Sequence, residues 1–119
     1  MMIHAEQTEA ARSEALAAIR DGNDRFRTSF GADFTTPGQV LMSAGIDAKN
    51  IAFRQAAMCA LIAYDGFTPE TDPNGAHDFG VLCIEGVRVF WKIDLLPVVD
   101  AARPQALRRI LTLFLPSEA

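Results

Sequence analysis

The residue best suited to chemistry is His77, because an imidazole can both take and give a proton near neutral pH. It lies in the stretch Thr68–Asp94, TPETDPNGAHDFGVLCIEGVRVFWKID, which also holds the only tryptophan. A histidine acting as general base needs a carboxylate to orient it, and Asp94 and Asp78 are the candidates, with Lys92 beside Asp94. A nucleophile is harder to find. Thr68 and Thr71 are the only hydroxyls close by in sequence, and no Gly-x-Ser-x-Gly elbow exists. Asp72, Asn74 and His77 share a loop and are ligand types for a hard cation, but the EF-hand pattern is not met. His77 and Asp78, as neighbours on an extended chain, point to opposite faces. No metal site is therefore expected. Gly75 and Gly80 are not followed by a helix, so they form no phosphate loop, and no cofactor is expected. Lys92 has the flavour of a nuclease lysine, but Phe90 stands two residues before it, where such sites carry an acid.

The element that must position these residues is a hairpin. Val81–Ile84 and Val87–Asp94 are rich in β-branched and aromatic residues, and Glu85-Gly86 between them reads as a two-residue turn. That loop places Ile84 opposite Val87, Leu82 opposite Val89 and Gly80 opposite Trp91. One face then carries Leu82, Ile84, Val87, Val89, Trp91 and Ile93 and faces the core. The other carries Val81, Cys83, Arg88, Phe90, Lys92 and Asp94. Extended backwards, the ladder sets Phe79 against Lys92 and His77 against Asp94, so His77, Lys92 and Asp94 share the polar face as the candidate catalytic set. A slip of one residue reverses the faces, and a type I turn with a Gly bulge is the competing geometry. Arg88 and Phe90 on that face are candidate binding residues, since Arg and aromatic side chains dominate interface hot spots. Asp78 is expected to anchor its own loop by accepting backbone N–H groups.

The chain has 119 residues, half of them hydrophobic and 22% charged, which suits a single folded α+β domain with residues 1–7 as a flexible tail. The formal charge is −4 and the pI is near 5.0, so the basic face of a nucleic-acid binder is not expected. The start, MMIHAEQTEA, lacks a signal-peptide pattern, and no apolar run approaches the roughly 20 residues of a membrane span; a cytoplasmic location follows. Cys59 and Cys83 have no metal-ligand spacing and read as buried, unreactive free thiols.

Thr8 to about Phe30 forms the first helix, with Thr8 as N-cap and an apolar stripe of Ala11, Ala15, Ala18, Ile19, Gly22 and Phe26. Gly22 there implies close packing. Gly31–Gly38 is a loop and Gln39–Ala44 a short strand. Ile46–Tyr64 is a second helix with Asp47 as N-cap, a deeply buried later half and Gly66 as left-handed cap. Phe67–Gly80 is a long loop with several turn signals, expected to be compact. Pro97 ends strand pairing, Pro104–Arg109 suggests a turn of helix, and Ile110–Leu115 is read as a strand in preference to a helix end.

At DPNGAHDFG, FWKID and RRILTLFL the sequence resembles a family of small uncharacterised bacterial proteins, mainly alphaproteobacterial, classed as a domain of unknown function. The order of features from Asn23, Asp24, Phe26 and Arg27 to the hairpin agrees over roughly Ile19–Leu115. Leu95, Leu96 and Pro97 follow Lys-Ile-Asp where the family has a Tyr-Tyr-Asp run. The resemblance implies a fold and no activity. It also implies an accessory or host-interaction role, such proteins being often carried on mobile elements. Two helices on one face of a small, mainly antiparallel sheet of three to four strands is the expected architecture. The expected function is a non-enzymatic protein-binding module with an unidentified protein partner, or a second copy of itself. The alternative is a small hydrolase using His77 and Asp94.

Overall fold

The computed structural model describes residues 2–98 and 107–119, with side chains over 9–98 and 107–119. In chain order the elements are α1 (Met2–Thr28), β1 (Gly38–Met42), α2 (Ala44–Asp47), α3 (Ile51–Ile62), β2 (Phe79–Ile84), β3 (Val87–Pro97) and β4 (Leu107–Phe114), followed by a 3-10 turn at Pro116–Glu118. The four strands form one mixed sheet in the order β1-β4-β3-β2. β1 runs parallel to β4, and the other two pairings are antiparallel. The fold is α+β, with the helices on one face of the sheet.

The hairpin has the register that a two-residue loop requires. Glu85 and Gly86 have φ of 53° and 77°, the two positive angles of a type I′ turn. Ile84 pairs with Val87, Leu82 with Val89, Gly80 with Trp91 and Phe79 with Lys92. Trp91 is fully buried, and β3 alternates between a buried and an outward face along its central residues. Ile110–Leu115 belongs for the most part to a strand, β4, which pairs Leu113 with Trp91 and Leu111 with Ile93. Leu107–Arg109 are strand as well, where a turn of helix was expected; residues 104–106 of that turn lie outside the described residues.

The helices differ from expectation in several ways. α1 begins at Met2, so Thr8 lies within it and does not cap it. Ala11, Ala15 and Ala18 are exposed; the sheet supports the C-terminal turns, where Gly22, Asn23, Phe26 and Arg27 are buried. The second helix is two. Ser43 caps α2 by accepting from the Ile46 N–H (3.3 Å), and Asn50 caps α3 by accepting from the Phe53 N–H (2.8 Å). The Asn50 side chain bonds better to a new helix start than to a continuing one, and Asp47, the expected cap, instead pairs with Arg54 at 3.2 Å.

Burial in α3 is confined to Phe53, Ala57 and Leu61, one stripe at spacing of four, because the helix lies on the sheet with its back to solvent. Cys59 on that back is exposed, and so is Cys83 on the outward face of β2; both are free. The expectation of buried thiols is overturned by the side of the element on which each falls. Gly66 has no positive φ, and α3 ends at Ile62 with Ala63 as its C-cap. Its last carbonyls are closed from outside the helix: the Arg27 guanidinium donates to Leu61 O at 2.9 Å and Ile62 O at 3.3 Å.

Candidate functional site

His77 does not meet Asp94. Its φ is 54°, a left-handed turn that takes the chain out of the ladder, so the last paired residue of β2 is Phe79. The imidazole turns to the helix side. Its Nδ1 lies 2.9 and 3.0 Å from the two carboxylate oxygens of Asp24 on α1. A carboxylate only accepts, so Nδ1 carries the hydrogen. Nε2 lies 3.5 Å from Asp72 Oδ2, and the ring stacks on Phe67 with centroids 3.8 Å apart and planes 5° from parallel. Asp94, two residues from Lys92 on the same face, is bound to it at 3.5 Å (Nζ to Oδ2) and sits opposite Ile110. The candidate catalytic set His77, Asp94 and Lys92 is thus divided between two sides of the sheet.

Around His77 the loop is folded by its own side chains. Thr68 and Thr71 exchange N–H to hydroxyl bonds of 2.9 and 3.1 Å, and Thr71 donates to Gly66 O at 2.9 Å. Asp72, not Asp78, is the anchor that accepts backbone N–H: the His77 N–H approaches its oxygens at 3.3 and 3.4 Å. Asp78 is exposed, and its carbonyl accepts from the Ile93 N–H at 2.8 Å. The threonine hydroxyls are occupied by this turn, and both ring nitrogens of His77 face carboxylates.

Beneath this loop lies a polar seam that the sequence reading passed over. Asn23 is fully buried; its amide donates to Ala76 O at 2.9 Å, and its oxygen accepts from Arg109 Nε at 2.8 Å. Burial, and then the nearby charge of Arg25, hold the Arg109 guanidinium below its usual pKa. Arg27 binds the end of α3, approaches Asp24 at 3.3 Å and lies over the rings of Phe67 and Trp91 at 5.4 and 5.7 Å. One turn of α1 therefore ties together the loop, the end of α3 and strand β4. The signal was present in Gly22-Asn23 and Arg27, polar groups on the stripe that holds Phe26.

The outward face of the sheet is a different surface. Across it Phe79, Phe90 and Phe114 form an edge-to-face row with centroids 5.6 and 5.7 Å apart. Leu41, Val81 and Leu96 are 45%, 43% and 47% exposed, and Phe79 is 40% exposed. An antiparallel face turned to water is ordinarily polar; this one alternates apolar groups with Arg88, Lys92, Asp94 and Arg108, and among the described residues no helix lies over it. Arg88 and Phe90, the candidate binding residues, share it. Beside Lys92 it dips into a concavity of about 500 Å³ lined by Ser43, Lys92, Thr112, Phe114, Glu118 and Ala119. Glu118 is fixed at its rim by the Ser43 hydroxyl (2.6 Å) and the Leu115 and Gly45 N–H groups (2.8 and 3.0 Å). These bonds, the hydroxyl first, hold its carboxyl below the usual range. No helix among the described residues is long and apolar enough to cross a membrane.

Neither the curated proteins nor the solved structures contain a match to this chain. A family model does match, over residues 42–118, from the end of β1 through the hairpin and β4. The chain belongs to the family described as "Protein of unknown function (DUF3768)".

Proposed function

We propose that the chain is a protein-binding module whose working surface is the outward face of the sheet, acting as an accessory protein in a bacterial cytoplasm. The observation that carries this reading is the aromatic row Phe79, Phe90 and Phe114, over which no α-helix lies among the described residues, on a face that also exposes Leu41, Val81 and Leu96. Contiguous exposed apolar surface is uncommon on proteins that act alone, and aromatic and Arg side chains with a polar surround match the composition of interface centres. The hydrolase reading draws no support from the geometry. His77 is a latch between the loop and α1, its Nδ1 held by Asp24 and its ring stacked on Phe67, and the nearest loop hydroxyls, Thr68 and Thr71, are bonded within their own turn. Arg88, Phe90, Lys92 and Asp94 would contribute contact and charge pattern, not catalysis.

The test is photo-crosslinking in the native host. A crosslinking amino acid at Leu41 or Leu96 is expected to trap one protein, trapping that excess wild-type chain suppresses and that Phe90→Arg suppresses too. The same group at Ala11, exposed on α1, should not trap it. An identical set of products from the sheet face and from α1 would sink the reading.

A further inference from the structure

Among the described residues no strand pairs with the outer edge of β2, and the chemistry of that edge names its occupant. The Ile93 N–H donates to Asp78 O, so Asp78 belongs to the set of residues that turns its backbone groups towards β3. In an antiparallel ladder that set is every second residue, which gives Gly80, Leu82 and Ile84. The N–H and C=O groups of Phe79, Val81 and Cys83 therefore point away from the sheet. Among the described residues none of them has a hydrogen-bond partner. Edge strands are ordinarily guarded by Pro, Lys, a bulge or a covering element. β2, FGVLCI, carries no Pro and no charge, and its pairing with β3 runs without a bulge. Three donors and three acceptors at two-residue spacing are matched only by another extended backbone.

We infer that the edge of β2 is the docking line for an extended segment of another protein, which joins the sheet as a further strand. This rests on the protein-binding reading and deepens it by naming the kind of partner. Side chains of the added strand opposite Phe79, Val81 and Cys83 lie on the outward face, so apolar residues suit those alternate positions. Exposed Asp78 and Glu85 bracket the strand at its two ends, so basic residues suit the ends of the segment. The same bracket disfavours a second copy. Two β2 edges related by a twofold axis run antiparallel, which brings Asp78 of one copy towards Glu85 of the other, acid against acid.

The experiment uses the full chain and three synthetic peptides. One alternates Val and Thr between terminal Lys residues, one has Glu in place of Lys, and one has Pro at the centre. The Lys-flanked peptide is expected to bind, the Pro-containing one not, and the Glu-flanked one about tenfold more weakly or less. At saturation, amide exchange at Phe79, Val81 and Cys83 should slow by about tenfold or more, while Gly80, Leu82 and Ile84 keep their existing protection. Thiol labelling of Cys83 should slow and that of Cys59 should not. Val81→Pro should abolish binding with Trp91 fluorescence unchanged, because the N–H it removes has no partner and Pro is tolerated on an outward-facing edge. Should that variant not fold, Val81→Lys, which keeps the backbone but adds a charge, is expected to weaken binding of the Lys-flanked peptide. The inference is overturned if none of the peptides binds, if the Glu-flanked peptide binds as well as the Lys-flanked one, or if the slowed amides lie elsewhere. It is also overturned if the three amides are already protected in a concentration-dependent way without peptide, the mark of a second copy on the edge. Crosslinking from Leu41 or Leu96 that succeeds while this exchange pattern fails would leave the protein-binding reading standing and remove the edge alone.

Discussion

Replacing Asn23 by Ala removes the centre of the buried seam between α1, the 67–78 loop and β4. Two hydrogen bonds are lost, 2.9 Å to Ala76 O and 2.8 Å from Arg109 Nε. Asn23 is fully buried and Arg109 is 7% exposed, so little water reaches either former partner. An unsatisfied buried group costs about 1–3 kcal/mol and a charged one more, which makes the expected loss about 3–5 kcal/mol. Against a total of about 5–15 kcal/mol for a typical domain, that is a large fraction. The buried Trp91 provides the assay, as urea unfolding followed by its fluorescence, with an unchanged slope showing that the midpoint shift is a stability change. Arg109→Met in the same background removes the stranded charge, so the double variant should lose less than the two single losses summed, by about 0.5–3 kcal/mol. A loss below about 1 kcal/mol for Asn23→Ala, or strict additivity with Arg109→Met, would refute the view that these residues act as one unit.

Asp24→Asn, which weakens the bonds to His77 and Arg27, is expected to cost about 1–2 kcal/mol after allowance for its partial exposure, whereas Asp94→Asn should stay within about 0.5 kcal/mol. Equal effects by the same urea assay would contradict the placement of His77. Both thiols should react with a water-soluble reagent in the native protein without denaturant, since Cys59 and Cys83 are exposed; a need to unfold the chain first would show the faces of α3 and β2 to be misassigned. The folded-state pKa of Glu118 is lowered by Ser43 and the Leu115 and Gly45 amides. Its contribution is therefore present above the unfolded value, near the ordinary 4.5, and is lost as pH falls through the folded one. The advantage of wild type over Glu118→Gln should accordingly shrink below that pH, and a difference that stays constant through the acid range would exclude the carboxylate as the anchor.

The hairpin was legible because its information is local. Glu85-Gly86 supplies two residues that accept positive φ, and the period-two alternation of Leu82, Ile84, Val89 and Trp91 leaves one register in which these four face the core together. The candidate binding face followed from the same alternation, so Arg88, Phe90 and Lys92 were placed together correctly. The helix division at Asn50 was less visible, because apolar residues continue on both sides and only the cap geometry separates α2 from α3.

What the sequence could not determine was where His77 points. Its partner was chosen by extending the ladder two residues past its end, and a single left-handed φ at His77 carries the ring to the other side, to Asp24 more than fifty positions away in the chain. The exposure of Cys59 and Cys83 was likewise decided by packing, because an apolar or thiol-bearing position is buried only if another layer covers it. Here, among the described residues, the helices pack on one face of the sheet and no α-helix lies over the outward one. Local patterning thus determined the hairpin, its register and its two faces. Which face is covered, and which distant carboxylate meets the one central histidine, were settled by long-range contacts that no local period encodes.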